Sequence, residues 1–243
     1  MKVAVCVPCR DEVHTAFAFD FAKMIAYDCI TRCKDGNGGL QMYTMPGTLI
    51  FDQREKLADI ALKEGADAVL FIDSDMRFPR DLIQILLSRE VDIVGVNATS
   101  RRMPVLPCAL NLQMVDNPKD GEPDHKWVKV DSRGKQGIEQ VTAVGFGVTM
   151  IRKEAFEKIP RPWFDVGWGR WGVIGEDVHF CARAADYGFQ IYVDHCLSKH
   201  IKHIGTYEYG WDDIDDAKLK ELTDGIDKLQ RPKNNGRKLS RKK

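Results

Sequence analysis

Residues 66–78 read ADAVLFIDSDMRF, and within them five consecutive apolar residues, Ala68–Ile72, run into Asp73-Ser74-Asp75. An unbroken apolar run of this length reads as a strand covered on both faces, the form strands take inside a parallel sheet. Unpaired charge is costly to bury, so the two carboxylates at its end are expected to meet a partner there. Side chains two apart on a strand point the same way, which predicts that Asp73 and Asp75 aim at one cation. Oxygen-only donors suit Mg²⁺ or Mn²⁺, ions that complete their shells with water and substrate phosphates. A metal bridging two phosphates also neutralises charge on a departing diphosphate.

Working outward, strands and helices alternate. KVAVCVPC near the N-terminus is an apolar strand leading into the polar loop Cys9-Arg10-Asp11-Glu12. TAFAFDFAKMIAYDCI follows with Phe17, Phe21, Met24 and Ile25 at helical spacing. After the loop DGNGGL, LQMYTM reads as a second strand and residues 52–64 as an amphipathic helix stopped by Gly65. Beyond the opening stretch come a helix over 79–88, with Leu82, Ile85 and Leu86 on one face, and the strand VDIVGVNA. This alternation predicts an α/β fold with a mostly parallel sheet flanked by helices. Ligands of such sheets bind at the carboxyl ends of the strands, so the loop after the first strand and Asp73–Asp75 should face one crevice.

Past residue 100 the pattern changes. PVLPCALNLQMV, HKWVKV and AVGFGVTMIRK read as a meander of strands, followed by a short helix in EAFEKI. EDVHFCARAADYGF is a helix ended by Gly188, and QIYVD reads as the last strand. No linker interrupts 1–230, which predicts one domain with halves at 1–100 and 101–210. RPKNNGRKLSRKK, over 231–243, carries seven Lys and Arg and no acid, and reads as a solvated, disordered tail.

Composition narrows the function. The 243 residues are 44% hydrophobic with a formal net charge of zero, enough for a core and no overall polycation. Residues 1–230 hold 29 basic against 36 acidic residues, so positive charge is concentrated in the tail. Seven scattered cysteines imply reduced thiols and a cytoplasmic location. No stretch approaches the apolar length of a membrane span.

Glu176-Asp177 opens a helix after Gly175, where acids complement the helix dipole. The preceding WFDVGWGRWGVIG sets four aromatics among glycines, a composition suited to an acceptor wall, since aromatic faces stack on sugars and bases.

Two segments carry a resemblance. REKLADIALKEGADAVLFIDSDMRFPRDLIQILLSREVDIVGV resembles the nucleotide-sugar half of GT-A glycosyltransferases, Rossmann-like enzymes with an Asp-x-Asp metal motif. AVGFGVTMIRKEAFEKI, GEDVHFCARAADYGFQIYVD and HIG resemble, in order, their acceptor half, most closely that of compact bacterial and phage members. The resemblance implies transfer of a hexosyl group from a nucleotide-diphosphate sugar, a UDP-sugar by preference, with Mn²⁺ or Mg²⁺. It puts Pro8, Arg10 and Glu12 in the nucleotide-contact loop, although the usual Tyr-Asn-Glu there is replaced by Cys9-Arg10-Asp11-Glu12. It puts Arg54 and Ser74 near the nucleotide, Asp73 on the ribose or sugar, and Asp75 with His203 on the metal. It makes Asp177, with Glu176 beside it, the catalytic acid pair whose carboxylate takes the acceptor proton. Trp168, Arg170, Trp171 and Arg101 fall toward the acceptor. Phage enzymes acting on hydroxymethylated bases are a precedent, so the resemblance admits nucleic acid as the acceptor partner; protein and saccharide acceptors fit as well.

Two other classes compete. A sugar nucleotidyltransferase wants a glycine-rich phosphate loop after the first strand, and CVPCRDEVH has no glycine. A non-catalytic nucleotide-sugar or nucleic-acid binding protein would have no use for both Asp73/Asp75 and Glu176/Asp177.

Overall fold

Period-two alternation builds the centre of the molecule. In strand β1 (Lys2–Cys9), Val3, Val5 and Val7 share one face with Ala68, Leu70 and Ile72 of β3 (Ala68–Ile72). Ala4, Cys6, Val69 and Phe71 share the other face. Helices cover both faces, as the apolar run predicts. α1 (Thr15–Thr31) and α3 (Leu82–Leu87) lie on the first, contributing Phe17, Met24, Leu82, Ile83 and Leu86. α2 (Ile50–Lys63), α4 (Lys153–Lys158) and α5 (Glu176–Asp186) lie on the second, with Leu57, Ala61, Phe156, Phe180 and Ala184. Each fully buried Leu or Phe among these contributes about 1.5–3 kcal/mol relative to exposure. This computed structural model describes residues 1–34, 36, 38–115, 125–169, 172–205 and 207–224.

The remaining elements are β2 (Gly39–Pro46), β4 (Met76–Arg77), β5 (Ile93–Val96), β6 (Leu110–Met114), β7 (His125–Lys129), β8 (Ile138–Val141) and β9 (Val148–Arg152). They continue with β10 (Gly167–Gly169), β11 (Gly172–Ile174), β12 (Ile191–Asp194), α6 (His195–Ser198), β13 (Lys202–Ile204), β14 (Glu208–Tyr209) and α7 (Asp216–Asp224). The central sheet has seven strands in the order β2-β1-β3-β9-β5-β12-β8. β2, β1, β3, β5 and β12 run one way; β9 and β8 run against them. The expected α/β fold with a mixed, mostly parallel sheet flanked by helices is therefore present.

The meander expected after residue 100 does not form. β6 and β7 make a separate hairpin, β8 takes the sheet edge, and β9 inserts antiparallel between β3 and β5. Val148, Met150 and Ile151 are apolar enough for burial on both faces, which alternation alone cannot distinguish from a meander strand. β12 is not the last strand either: β13 pairs with β14 and with β4, near the end of the opening stretch, in a second small sheet. Basic residues 231–243 lie outside the described residues.

Candidate functional site

β3 ends at Ile72, so Asp73, Ser74 and Asp75 form a turn and strand alternation no longer governs them. The turn is held by the Asp73 amide donating to Gly147 O at 2.9 Å and the Met76 amide donating to Asp73 O at 3.1 Å. The two carboxylates meet different protein partners, while Asp75 and His203 remain close enough to act on the Asp73 charge.

Asp73 Oδ1 accepts from Arg54 Nη2 at 2.7 Å. Arg54 is buried in α2; its Nη1 donates to Glu176 Oε1, and its Nη2 also lies 3.3 Å from Phe146 O. The guanidinium sits 5.5 Å over the Phe146 ring, within an aromatic cluster of Phe71, Phe146, Phe164 and Phe180. Arg54 thus ties β3, the loop before β9 and the start of α5 together. Burial pushes the Asp73 and Glu176 carboxyls up while Arg54 pulls both back. Arg54 itself, lowered by burial, is held above its ordinary value by Asp73, Glu176 and Asp177.

Asp75 faces a different set. Its Oδ2 lies 2.7 Å from Arg101 Nη1, and its Oδ1 lies 3.3 Å from His203 Nε2. His203 reaches it because β13 docks on β4, with Ile204 N donating to Asp75 O at 2.7 Å. His203 Nδ1 stands 2.8 Å from Thr99 O, and a carbonyl only accepts, so Nδ1 carries the proton. A neutral imidazole then turns the Nε2 lone pair toward Asp75 Oδ1, which is buried and has no hydrogen bond despite the short contact. Two acceptors facing each other are reconciled by a proton on Nε2 or by a cation shared between them. Burial raises the Asp75 carboxyl, but His203 and Arg101 outweigh it and hold it below the usual range. Among the described residues no three His, Cys, Asp or Glu side chains group as a metal site. Any ion held by Asp75 and His203 would take one oxygen and one imidazole nitrogen from the protein and the rest of its shell from phosphates and water.

Glu176 is buried and committed to Arg54, whereas Asp177 is partly exposed. Asp177 Oδ1 accepts from the Val178 amide at 2.7 Å. A Cβ on Gly145 would lie 3.7 Å from Asp177 Oδ2 and 3.4 Å from the Cys108 side chain, so this glycine stands beside both.

Other expected residues spread around this centre. Pro8 is buried at the end of β1, while Arg10 and Glu12 are exposed and Ser74 is half-buried in the turn. Trp168 is 80% exposed on the β10–β11 hairpin. Arg170 and Trp171 lie outside the described residues. Trp163 and Phe164, from the same aromatic stretch, are core instead of an acceptor wall: Trp163 packs edge-on against Phe156 and Phe164 against Phe71. Of the late histidines, His195 is buried between Ser132 and Glu139, both at 2.8 Å, and His200 is exposed. Sequence reading passed over Phe146, Cys108 and Lys129. The glycines flanking Phe146 in AVGFG were the signal for a close approach there; nothing in HKWVKV marks Lys129.

No family model matches the chain, and no curated protein matches it. Among solved structures it is similar to A197 from STIV, with 18% identity and a TM-score of 0.49 over 84% of this chain and 86% of that one. It is also similar to the catalytic domain of Drosophila beta1,4galactosyltransferase 7 in complex with xylobiose, with 17% identity, a TM-score of 0.47 and coverage of 94% and 82%. A third is S. aureus TarS 1-349 in complex with UDP-GlcNAc, at 16% identity and a TM-score of 0.41, covering 79% of this chain and 56% of that one.

Proposed function

We propose that this chain is a metal-dependent GT-A-type glycosyltransferase that moves a sugar from a nucleotide-diphosphate sugar, a UDP-sugar by preference, to an acceptor hydroxyl. The observation that carries the reading is the Asp75–His203 pair, a buried carboxylate oxygen 3.3 Å from His203 Nε2 at the carboxyl end of the sheet. Asp75 and His203 would hold Mn²⁺ or Mg²⁺. Such an ion, when bound, neutralises charge developing on the leaving diphosphate. In the absence of an ion Arg101 supplies the counter-charge to Asp75.

The chain's own residues do the rest. Arg54 fixes Asp73, which faces the ribose or sugar hydroxyls, and Glu176 keeps Arg54 in place. Pro8, Arg10, Glu12 and Ser74 border the nucleotide. Asp177 accepts the proton of the acceptor hydroxyl as its oxygen attacks the anomeric carbon. The bond from that carbon to the diphosphate oxygen breaks, its electron pair leaves on the diphosphate, and the proton ends on Asp177. Trp168 offers an aromatic face toward the acceptor.

The test has two parts. Isothermal titration with UDP should show binding that needs Mn²⁺ and is lost on chelation and in Asp75→Ala; affinity indifferent to both would sink the metal assignment. Asp177→Asn should lower turnover, read as UDP release in the presence of acceptor, by roughly 10²–10⁴-fold while UDP–Mn²⁺ affinity is retained. Normal turnover in that variant would remove Asp177 as the base.

A further inference from the structure

A cavity of about 340 Å³ opens beside the centre, lined by Ser100, Arg101, Arg102, Leu106, Cys108 and Lys129 among others. Its walls reach toward both Asp75 and Asp177: Arg101 bonds Asp75, and Cys108 approaches the same bare Gly145 that Asp177 Oδ2 does. Three cations therefore converge on a space between Asp75 and Asp177. Among the described residues neither Lys129 Nζ nor the Arg102 guanidinium has an ion-pair or hydrogen-bond partner. Burial, with the nearby Arg102 charge, pushes the Lys129 ammonium down against the pull of Cys108 and Asp177. Arg102 is exposed and Lys129 half-buried, so the lysine is the cation that loses hydration, and an anion entering the pocket would offset that cost.

The loop that presents the arginines is also built to hold position. Ser100 N donates to Leu106 O at 2.8 Å, and Cys108 N donates to Ala98 O at 2.9 Å, closing its two ends. Leu106 N donates to Ser100 Oγ at 3.1 Å. Val105 is fully buried against Ile214 and Leu219 of the C-terminal segment. A pre-shaped cationic pocket loses less ordering entropy on binding than a mobile one.

We infer that this pocket is an acceptor subsite for a phosphate ester: the hydroxyl compound that receives the sugar carries a phosphate, gripped by Arg102 and Lys129. The inference rests on the transferase reading, which makes Asp177 the group the acceptor hydroxyl must reach. Charge-assisted contacts to phosphate from Arg are forked and directional, and those from Lys act as a point charge. An ester anchored there would hold its hydroxyl between the donor carbon and Asp177.

The experiment is a calorimetric titration of the full chain, saturated with UDP and Mn²⁺, with glycerol phosphate and with a short single-stranded DNA. It is run on wild type, Lys129→Gln and Arg102→Gln. Glycerol phosphate should bind wild type and lose about tenfold or more in affinity in each variant, with UDP–Mn²⁺ affinity within about twofold of wild type. Binding of DNA that is tighter than the monoester and equally dependent on Lys129 assigns the phosphate to a polynucleotide; weaker DNA binding assigns it to a small ester. Absence of phosphate binding to wild type, or wild-type affinity retained in both variants, overturns the inference. So does loss of UDP affinity with phosphate affinity intact, since the cations would then serve the donor. Should UDP–Mn²⁺ fail to bind wild type, the same titration without it separates the two ideas. Phosphate binding that depends on Lys129 and Arg102 would keep the anion pocket and overturn the transferase reading.

Discussion

Arg54 sets the site at the scale of a single residue. An arginine in the middle of an amphipathic helix is usually solvated, yet this one is buried with one carboxylate on each Nη. Removing one partner of a buried ion pair leaves charge unpaired and costs about 3–5 kcal/mol. Arg54→Met is expected to destabilise by about that much, read by urea denaturation. The exposed Arg10→Ala should stay within about 0.5 kcal/mol of wild type. Equal stability of the two variants would show that Arg54 contributes no more than a surface charge. Glu176→Gln should follow Arg54→Met in losing stability, because Glu176 serves the arginine, whereas Asp177→Asn should chiefly lose turnover.

The element that matters most is the start of α5. Gly175 precedes the helix, and a Cβ added to it would come within 2.8 Å of Asp177 Oδ1, closer than side chains tolerate. Its backbone, at φ −59° and ψ 154°, accepts alanine without strain. Gly175→Ala should therefore leave the melting temperature nearly unchanged while displacing the Asp177 carboxylate. A misplacement of about 1 Å at a reacting group costs up to about 10²-fold in rate. A fall in turnover of about ten- to a hundredfold is expected, with UDP affinity unaltered; full activity would mean that Asp177 need not hold this position. β13 matters in the same way, since its pairing with β4 is what carries His203 to Asp75.

For the whole molecule, the sheet order puts β3, β9 and β5 side by side, so the turn at Asp73–Asp75, the Gly145–Gly147 loop and Thr99 share one end of the sheet. A ligand that binds there stabilises the entire fold by mass action. UDP with Mn²⁺ at about a hundred times its dissociation constant should add about 2.7 kcal/mol. For a chain of this size that raises the melting temperature by roughly 5–11 °C. The shift should vanish on chelation and in Asp75→Ala. A shift that survives both would place nucleotide binding away from Asp75. Among the described residues no helix is long and apolar enough to cross a membrane.

Much was legible before any coordinates. The apolar run Ala68–Ile72 determined a strand buried on both faces, because only flanking helices on each side make such a run stable. The strand–helix alternation of the first hundred residues determined the parallel part of the sheet, and the acids after Ile72 and Gly175 are the two that Arg54 brings together. These are local signals, written in spacing and polarity within a few residues. What only the tertiary structure decided involves partners distant in sequence. β9 entered the sheet instead of a meander because an apolar strand does not encode its neighbours. Strand alternation does not govern Asp73 and Asp75 because the strand ends one residue earlier, and the partner of Asp73 is Arg54, nineteen residues away in sequence. His203 stands beside Asp75, and His195 is locked between Ser132 and Glu139, because of the strand pairing and packing around them. Spacing along the chain could not tell the two histidines apart, since each one's chemistry depends on which long-range contacts its strand or helix makes.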